Sequence, residues 1–277
     1  IIVEHNDDSG SVDEQAYIKK LTSDVRVVSI VHTSPVTGMT VDLEKITKEV
    51  RNVTPDCIII VDGIQHSSHG AIDVQKYDID GYVVSPYKMF SRHGYGVAWA
   101  SDRLCTLNKE QLADGPFQNW ELGTRDAGSY ATFSDVVDYL DWLGSNFTES
   151  ENTRERLEAS SIAIKSHEQE LVDLVINGAE DVVGLRNNEK IRIIGNPAST
   201  SREGVVSFFH KNKPSRIIVE ELRQRKIRVH IRKDDHYCGN ILRPLNQKDC
   251  IRFSICHYNS KAEVVEFMKA INEISTN

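Results

Sequence analysis

Residues 58–90 read IIIVDGIQHSSHGAIDVQKYDIDGYVVSPYKMF. With Cys57 in front, the stretch opens on the apolar run CIIIV at 57–61. So short a continuous apolar run is the pattern of a strand buried on both faces, common in parallel sheets. Asp62 follows at once, so a carboxylate stands at that strand's C-terminal end, and Gln65 comes three residues later. Residues 82–85 predict a second short strand, which closes on Ser85 with Lys88 just beyond. Ligands of open α/β sheets bind outside the carboxyl ends of the strands. One carboxylate, one amide, one hydroxyl and one amine are therefore expected along a single sheet edge.

Working outward, the first half alternates strand-like and helix-like runs. Residues 1–4 and 26–31 are short and apolar or β-branched, residues 12–21 and 41–50 have helical spacing, and 96–100 predict a further strand. Strands separated by helices imply right-handed crossovers and a largely parallel sheet. Residues 130–143 carry a helical apolar stripe, and a long charged helix is predicted over about 149–176, since neither Pro nor Gly interrupts 151–177. Beyond it the pattern changes. Residues 191–194, 205–209, 227–231 and 251–256 predict strands, and 214–224 and 261–274 amphipathic helices, an α+β arrangement. The expected organisation is an α/β large domain over 1–148, then the linking helix and a smaller α+β domain over 149–277. Ile1 stands where Met would, and residues 1–3 already read as a strand, so the chain looks like a piece of something longer.

Composition narrows the partners. The chain has 277 residues, 39% of them hydrophobic and 27% charged, with a net charge of −8, an ordinary globular balance. An acidic chain does not draw phosphate backbones by its overall field, so nucleic acid is not expected as a partner. No apolar run is long enough for a bilayer span. Five cysteines at wide spacing, without a C-x-x-C, argue against a disulfide framework or structural zinc and fit reduced thiols in a cytoplasmic compartment. No metal site is expected: His66 and His69 read as surface residues of a polar loop, and Asp234, Asp235 and His236 as a solvated loop.

The set Asp62, Gln65, Ser85 and Lys88 is what pyridoxal phosphate needs. Its ring nitrogen works as part of an electron sink when a carboxylate keeps it protonated. Its aldehyde takes a lysine amine as a Schiff base. Its phosphate and ring oxygen need hydroxyl, amide and backbone donors. At this point the sequence resembles the class V, fold-type I pyridoxal-phosphate enzymes, the family of cysteine desulfurases, selenocysteine lyases and isopenicillin N epimerase-like proteins. That family reads V-D-x-x-Q and then S-x-x-K; here Asp62 and Lys88 stand 26 residues apart (88 − 62), which fits. Gly94-Tyr95-Gly96 is similar to its G-x-G strand, Glu121-Leu122-Gly123-Thr124 to E-x-G-T, and Ile251-Arg252-Phe253-Ser254 with Tyr258-Asn259-Ser260 to R-x-S followed by Y-N-T. The resemblance covers nearly the whole chain, with the family's N-terminal portion missing.

The resemblance implies the roles. Asp62 pairs with the pyridinium, Gln65 donates to the ring oxygen, Ser85 binds phosphate, and Lys88 holds the cofactor and moves protons. Thr124 reaches the phosphate of the partner subunit's cofactor, which implies a homodimer with shared sites. Arg252 grips the α-carboxylate of a small amino-acid substrate; its planar fork suits a bidentate hold. Cys238, 14 residues before Arg252 (252 − 238), stands where a desulfurase carries its loop cysteine. That cysteine takes the substrate sulfur as a persulfide and passes it to a sulfur-acceptor protein. The polar segment 233–240, which includes Gly239, predicts an exposed, mobile loop for it. Two positions depart from the family: Tyr87 replaces the His before the lysine, and Pro35 replaces the Asn of H-x-S-N-x-x-G in 32–38. Proline cannot donate the bond that Asn makes. Three readings stay open: a desulfurase or selenocysteine lyase, an aminotransferase or epimerase without sulfur chemistry, and a non-catalytic relative that binds a partner protein.

Overall fold

The computed structural model describes residues 1–276 apart from 9, 11, 116–119, 121, 125 and 199–200. The chain divides into two compact units. One comprises Tyr17–His32 and Asp42–Ala163; the other comprises Ile1–Ala16, Thr33–Val41 and Ile164–Asn277. The short helix α1 (Glu14–Ile18) lies at the first of these divisions.

The first unit is built on a four-stranded sheet in the order β1 (Val27–Val31), β2 (Ile58–Asp62), β3 (Gly81–Val84) and β4 (Val97–Ala100). β1, β2 and β3 run parallel, and β4 returns antiparallel to β3. The crossover from β1 to β2 is α2 (Leu43–Val53), capped by Asp42, whose side chain accepts from the Lys45 amide at 3.0 Å. It buries Leu43, Ile46, Thr47 and Val50, the i, i+3, i+4, i+7 stripe of a helix seated on a sheet. Ile59 and Val61 of β2 have no exposed surface. The helical turn α3 (Asp102–Cys105), α4 (Ala127–Gly144) and the start of α5 (Thr153–Asn177) follow. Among the described residues α4 buries only Ser129, Val136 and Gly144, and its Tyr130 and Trp142 are 55% and 61% exposed.

The second unit contains a small antiparallel hairpin, β5 (Gly178–Ala179) with β6 (Val182–Val183), and a four-stranded antiparallel sheet. That sheet has the order β7 (Ile191–Ile194), β8 (Val205–His210), β10 (Asp249–Ser254) and β9 (His230–Lys233). One face packs Val206, Phe208 and Ile251 against Leu171 and Val175 of α5, Ile218 and Leu222 of α6 (Ser215–Gln224), and Val264, Phe267 and Ile271 of α8 (Lys261–Thr276). The opposite face carries Ile194, Phe209 and Cys250, which meet Val36 and the short helix α7 (Gly239–Leu242).

Two expectations change. Residues 1–4 join no described strand and Ile1 is 89% exposed; a lone strand leaves its backbone unpaired, so the apolar run stays irregular. A single cut at 148/149 is also not how the compact units divide, because Thr33–Val41 is tied to the C-terminal part. The Thr40 amide bonds Ser201 at 2.9 Å and the Glu203 amide bonds Gly38 at 2.9 Å. Arg202, 2% exposed, holds the carbonyls of Thr37 and Ile194; burial pulls its pKa down to about 10. Gly38 takes φ +75° with Val205 hard against it, so only glycine suits the turn.

Candidate active site

Asp62 is the last residue of β2, and its Oδ1 accepts from the Ile64 amide at 2.9 Å, which turns the chain sharply out of the sheet. Gly63 makes that turn possible: a Cβ there would fall on the ring of Tyr82 from the neighbouring strand. Tyr82 is 3% exposed, and its hydroxyl shares a 2.8 Å hydrogen bond with Nδ1 of His32. His32 in turn stacks on His66 with ring centroids 3.7 Å apart. The edge beyond the β2 terminus is thus walled by buried aromatic rings.

Gln65 and Lys88 meet at this edge. Lys88 Nζ donates to Gln65 Oε1 at 3.0 Å, although 23 residues separate them. The 3₁₀ turn Pro86–Lys88 brings the amine back: Ser85 caps it, and the Lys88 amide bonds the Ser85 carbonyl at 3.0 Å. An ammonium can only donate, so the amide oxygen of Gln65 must face Lys88 and its NH₂ must face away. That NH₂ meets Nε2 of His69 at 3.0 Å, which makes Nε2 the acceptor. The sequence reading missed this member. His66 and His69, read as surface residues, are 8% and 3% exposed. The signal was the i, i+4 spacing of Gln65 and His69, which puts two side chains on one face of a helical turn.

The other expected site residues lie as follows. Ser85 is half-buried next to this turn, and Thr124 is exposed. Thr124 lines a cleft of about 460 Å³ with Tyr95, Ser129, Tyr130 and Phe133, all in the first unit; Glu121 of the same motif lies outside the described residues. Tyr87, in place of His, stacks on His93 at 4.4 Å. In the second unit Arg252 is half-buried on β10 and donates from Nη1 to the Pro35 carbonyl at 3.1 Å. Pro35 thus supplies an acceptor where the expected Asn would have supplied a donor. Cys238 departs from expectation. It is 1% exposed, caps α7, and packs with Val36, Ile194, Leu242 and Cys250, so it does not lie on an open loop. Burial, above all, raises its thiol pKa, and a thiol held protonated is a poor nucleophile.

The family model for aminotransferase class-V matches residues 1–267. The chain belongs to the aminotransferase class-V family. Among its relatives are a probable cysteine desulfurase of Treponema pallidum, 23% identical over 97% of this chain and 63% of its own length, and an aminotransferase-like protein of Gibberella zeae, 26% identical over 92% of this chain and 60% of its own. The cysteine desulfurase structure from Thermococcus onnurineus superposes with a TM-score of 0.78 at 20% identity, covering all of this chain and 66% of that one. That likeness establishes the fold as the fold-type I architecture. The chain spans less than two thirds of the length of either sequence relative.

The class-V family uses pyridoxal phosphate, and the donor set here fits it. A carboxylate closes a buried strand, an amine lies one hydrogen bond from an amide three residues past that carboxylate, and a residue with a hydroxyl stands at the start of the turn that carries the amine. Among the described residues no group of three or more His, Cys, Asp or Glu side chains is placed to hold a metal ion, and no helix is long and apolar enough to cross a membrane. All five cysteines are unpaired thiols.

Proposed function

We propose that this chain carries the core of a pyridoxal-phosphate enzyme that acts on an amino acid, of the cysteine desulfurase-like type. The observation that carries the reading is the 3.0 Å bond from Lys88 Nζ to Gln65 Oε1, three residues past the strand-end carboxylate of Asp62. Bound pyridoxal phosphate supplies an electron sink for bonds broken at the substrate Cα. Asp62 holds the proton on the ring nitrogen, as a carboxylate beside a cation does. Gln65 orients Lys88 and offers its amide to the ring oxygen, and Ser85 donates to the phosphate. Lys88 would hold the cofactor through Nζ and would move the proton at Cα. Arg252 binds a substrate carboxylate through its fork. Thr124, exposed beside Leu122 and Tyr130, suits a contact with a second copy of the chain, which supports a homodimer that shares its sites.

The buried, protonated Cys238 favours a second reading, an aminotransferase or epimerase without sulfur chemistry. In the desulfurase reading a sulfur-acceptor protein takes the sulfur from Cys238. Two measurements on the full-length protein test these readings. Reduction with borohydride in the presence of pyridoxal phosphate should add the cofactor mass to the peptide that contains Lys88, and Lys88→Ala should abolish that adduct; labelling elsewhere would refute the core reading. Sulfide release from cysteine that is lost in Cys238→Ala would select the desulfurase. Oxoacid or epimer formation with no sulfide, equal in both proteins, would select the alternative.

A further inference from the structure

β9 stands at the end of its sheet. In the order β7-β8-β10-β9 it pairs with β10 alone among the described strands. The Asp234 amide bonds the Lys248 carbonyl at 2.9 Å, which continues the register in which Lys233 opposes Asp249. Hydrogen-bonded pairs alternate with non-bonded pairs along an antiparallel ladder. Arg232 and His230 therefore turn their peptide groups toward β10, and Ile231 and Lys233 turn theirs outward. The Lys233 carbonyl accepts from the Asp235 amide at 2.8 Å. The Ile231 N–H and C=O and the Lys233 N–H have no partner among the described residues. A row of this kind is a template for one more strand.

The two faces of this edge differ in chemistry. Opposed residues share a face and successive residues alternate. Ile231 opposes Ile251, whose face is covered by α5, α6 and α8, and Ile227 and Val229 pack against the same core. His230 and Arg232 lie on the other face, and Arg228, between Ile227 and Val229, continues their row. Residues 222–233 hold six Lys or Arg and no Asp or Glu, in a chain whose net charge is −8. Arg223 pairs with Glu220 at 2.8 Å, and Arg225 pairs with Glu273. Lys226, Arg228 and Lys233 are exposed and form no ion pair among the described residues. The charge selects what can add here. A second copy of β9 would set Arg228 and Arg232 against their equals, and like charges opposed across a strand pair destabilise it. A phosphate backbone would meet the cations but leave the Ile231 peptide group unpaired, and the overall negative field opposes it.

We propose that β9 is a docking edge for an extended acidic segment of a partner protein, one in which carboxylates alternate with β-branched residues. The segment adds antiparallel to β9, as every strand of this sheet does to its neighbour, and exchanges backbone bonds with Ile231. Its carboxylates fall on the face of Arg228 and Arg232, and its β-branched side chains extend the apolar face of Val229 and Ile231. Lys226 and Lys233 hold the two ends. The proposal is independent of the cofactor and of Lys88.

The probe is a fluorescein-labelled peptide of alternating glutamate and valine, followed by fluorescence anisotropy with the full-length protein. It should bind about tenfold or more tightly than a block peptide of the same composition, and raised salt should weaken it. A valine opposite Ile231 turns its own N–H toward β9, so N-methylation of the valines should abolish binding, while N-methylation of the glutamates should leave it within about twofold. Arg228→Glu reverses an exposed charge and should weaken the peptide about tenfold. Ile231→Pro removes only the outward N–H, a loss that edge strands tolerate, and should abolish binding in a folded protein; if that variant does not fold, the methylated peptides decide on the wild type. No binding, equal binding of the block peptide, indifference to valine methylation, or tighter binding of an oligothymidylate would overturn the proposal.

Discussion

Asp80 offers the sharpest test of how the site-bearing strand is held. It lies directly before β3, the strand that leads to Ser85 and Lys88, and it has no exposed surface. Its Oδ2 accepts from the Ile59 amide and Arg51 Nη2, both at 2.9 Å, and its Oδ1 accepts from Ser101 Oγ at 3.0 Å and forms an ion pair with Arg103 Nε at 2.9 Å. Burial alone would push this carboxyl up; the Ile59 amide, Arg51, Ser101 and Arg103 outweigh it and leave the pKa below the ordinary value. Asp80→Ala takes a carboxylate from two cations and an acceptor from the buried Ile59 amide. Arg103, 40% exposed, can turn to water, and Arg51, 13% exposed, keeps Asp78 at 3.3 Å, so much of the cost falls on the Ile59 amide. A buried donor left without its acceptor costs roughly 1–3 kcal/mol, against a domain stability of about 5–15 kcal/mol. Urea unfolding followed by far-UV circular dichroism measures the loss. The sign with pH follows from the lowered pKa: the contribution is complete above the unfolded carboxylate's pKa and fades as pH falls through the folded one. The gap between wild type and Asp80→Ala should therefore shrink in acid. A loss under about 1 kcal/mol at neutral pH, or a gap that acid leaves unchanged, would refute the reasoning.

Two further outcomes follow from the same region. Gly63→Ala puts a methyl group onto the ring of Tyr82 and must displace it from His32, so it should cost about 1–3 kcal/mol in urea unfolding; a neutral substitution would mean that the turn has slack. His69→Leu deletes the acceptor that orients the Gln65 amide, so the affinity for pyridoxal phosphate should fall by roughly five- to tenfold, the worth of one hydrogen bond. An unchanged affinity, or equal loss of fold, would strip His69 of a positioning role.

Much of this fold was legible because periodicity reports burial. The run at 57–61 and its trailing Asp62 became β2 with the carboxylate at its end, and the apolar spacing of 214–224 became α6 within a residue. Residues 1–4 misled for the opposite reason: an apolar run says nothing about whether a neighbour is there to pair with it. The reach of Thr33–Val41 into the C-terminal unit was equally invisible, since it depends on backbone bonds to Ser201 and Glu203 far along the chain. That Gln65 and Lys88 would lie at one sheet edge was readable from strand ends; their hydrogen bond was not. The imidazoles behind it were not, because polarity suggested solvent where the fold supplied hydrogen-bond partners.

Cys238 shows where a motif and a periodicity compete. Spacing to Arg252 and the polar neighbours both pointed to an exposed sulfur carrier. The neighbours behave as their polarity demands: Lys233 through Tyr237 and Asn240 are exposed. Cys238, Leu242 and Leu245 nevertheless fall at i, i+4 and i+7, a helical stripe, and all three are buried with Phe209 and Cys250. A stripe of that kind seats a helical turn on a core whatever the residues between it do. Gly239, read as a source of mobility, is instead the first residue of α7, where a Cβ would meet Arg243 and Asp234. Cys250 beside it has its pKa pushed up to about 12, by burial first and then by Cys238 itself. In this arrangement both thiols stay protonated and apolar, and desulfurase chemistry at Cys238 requires α7 to open. The distinction between the two proposed reactions is thus a question about one helical turn, and the Arg232 guanidinium, which touches Cys238 on one side and shares a sheet face with Arg252, is the group that connects them.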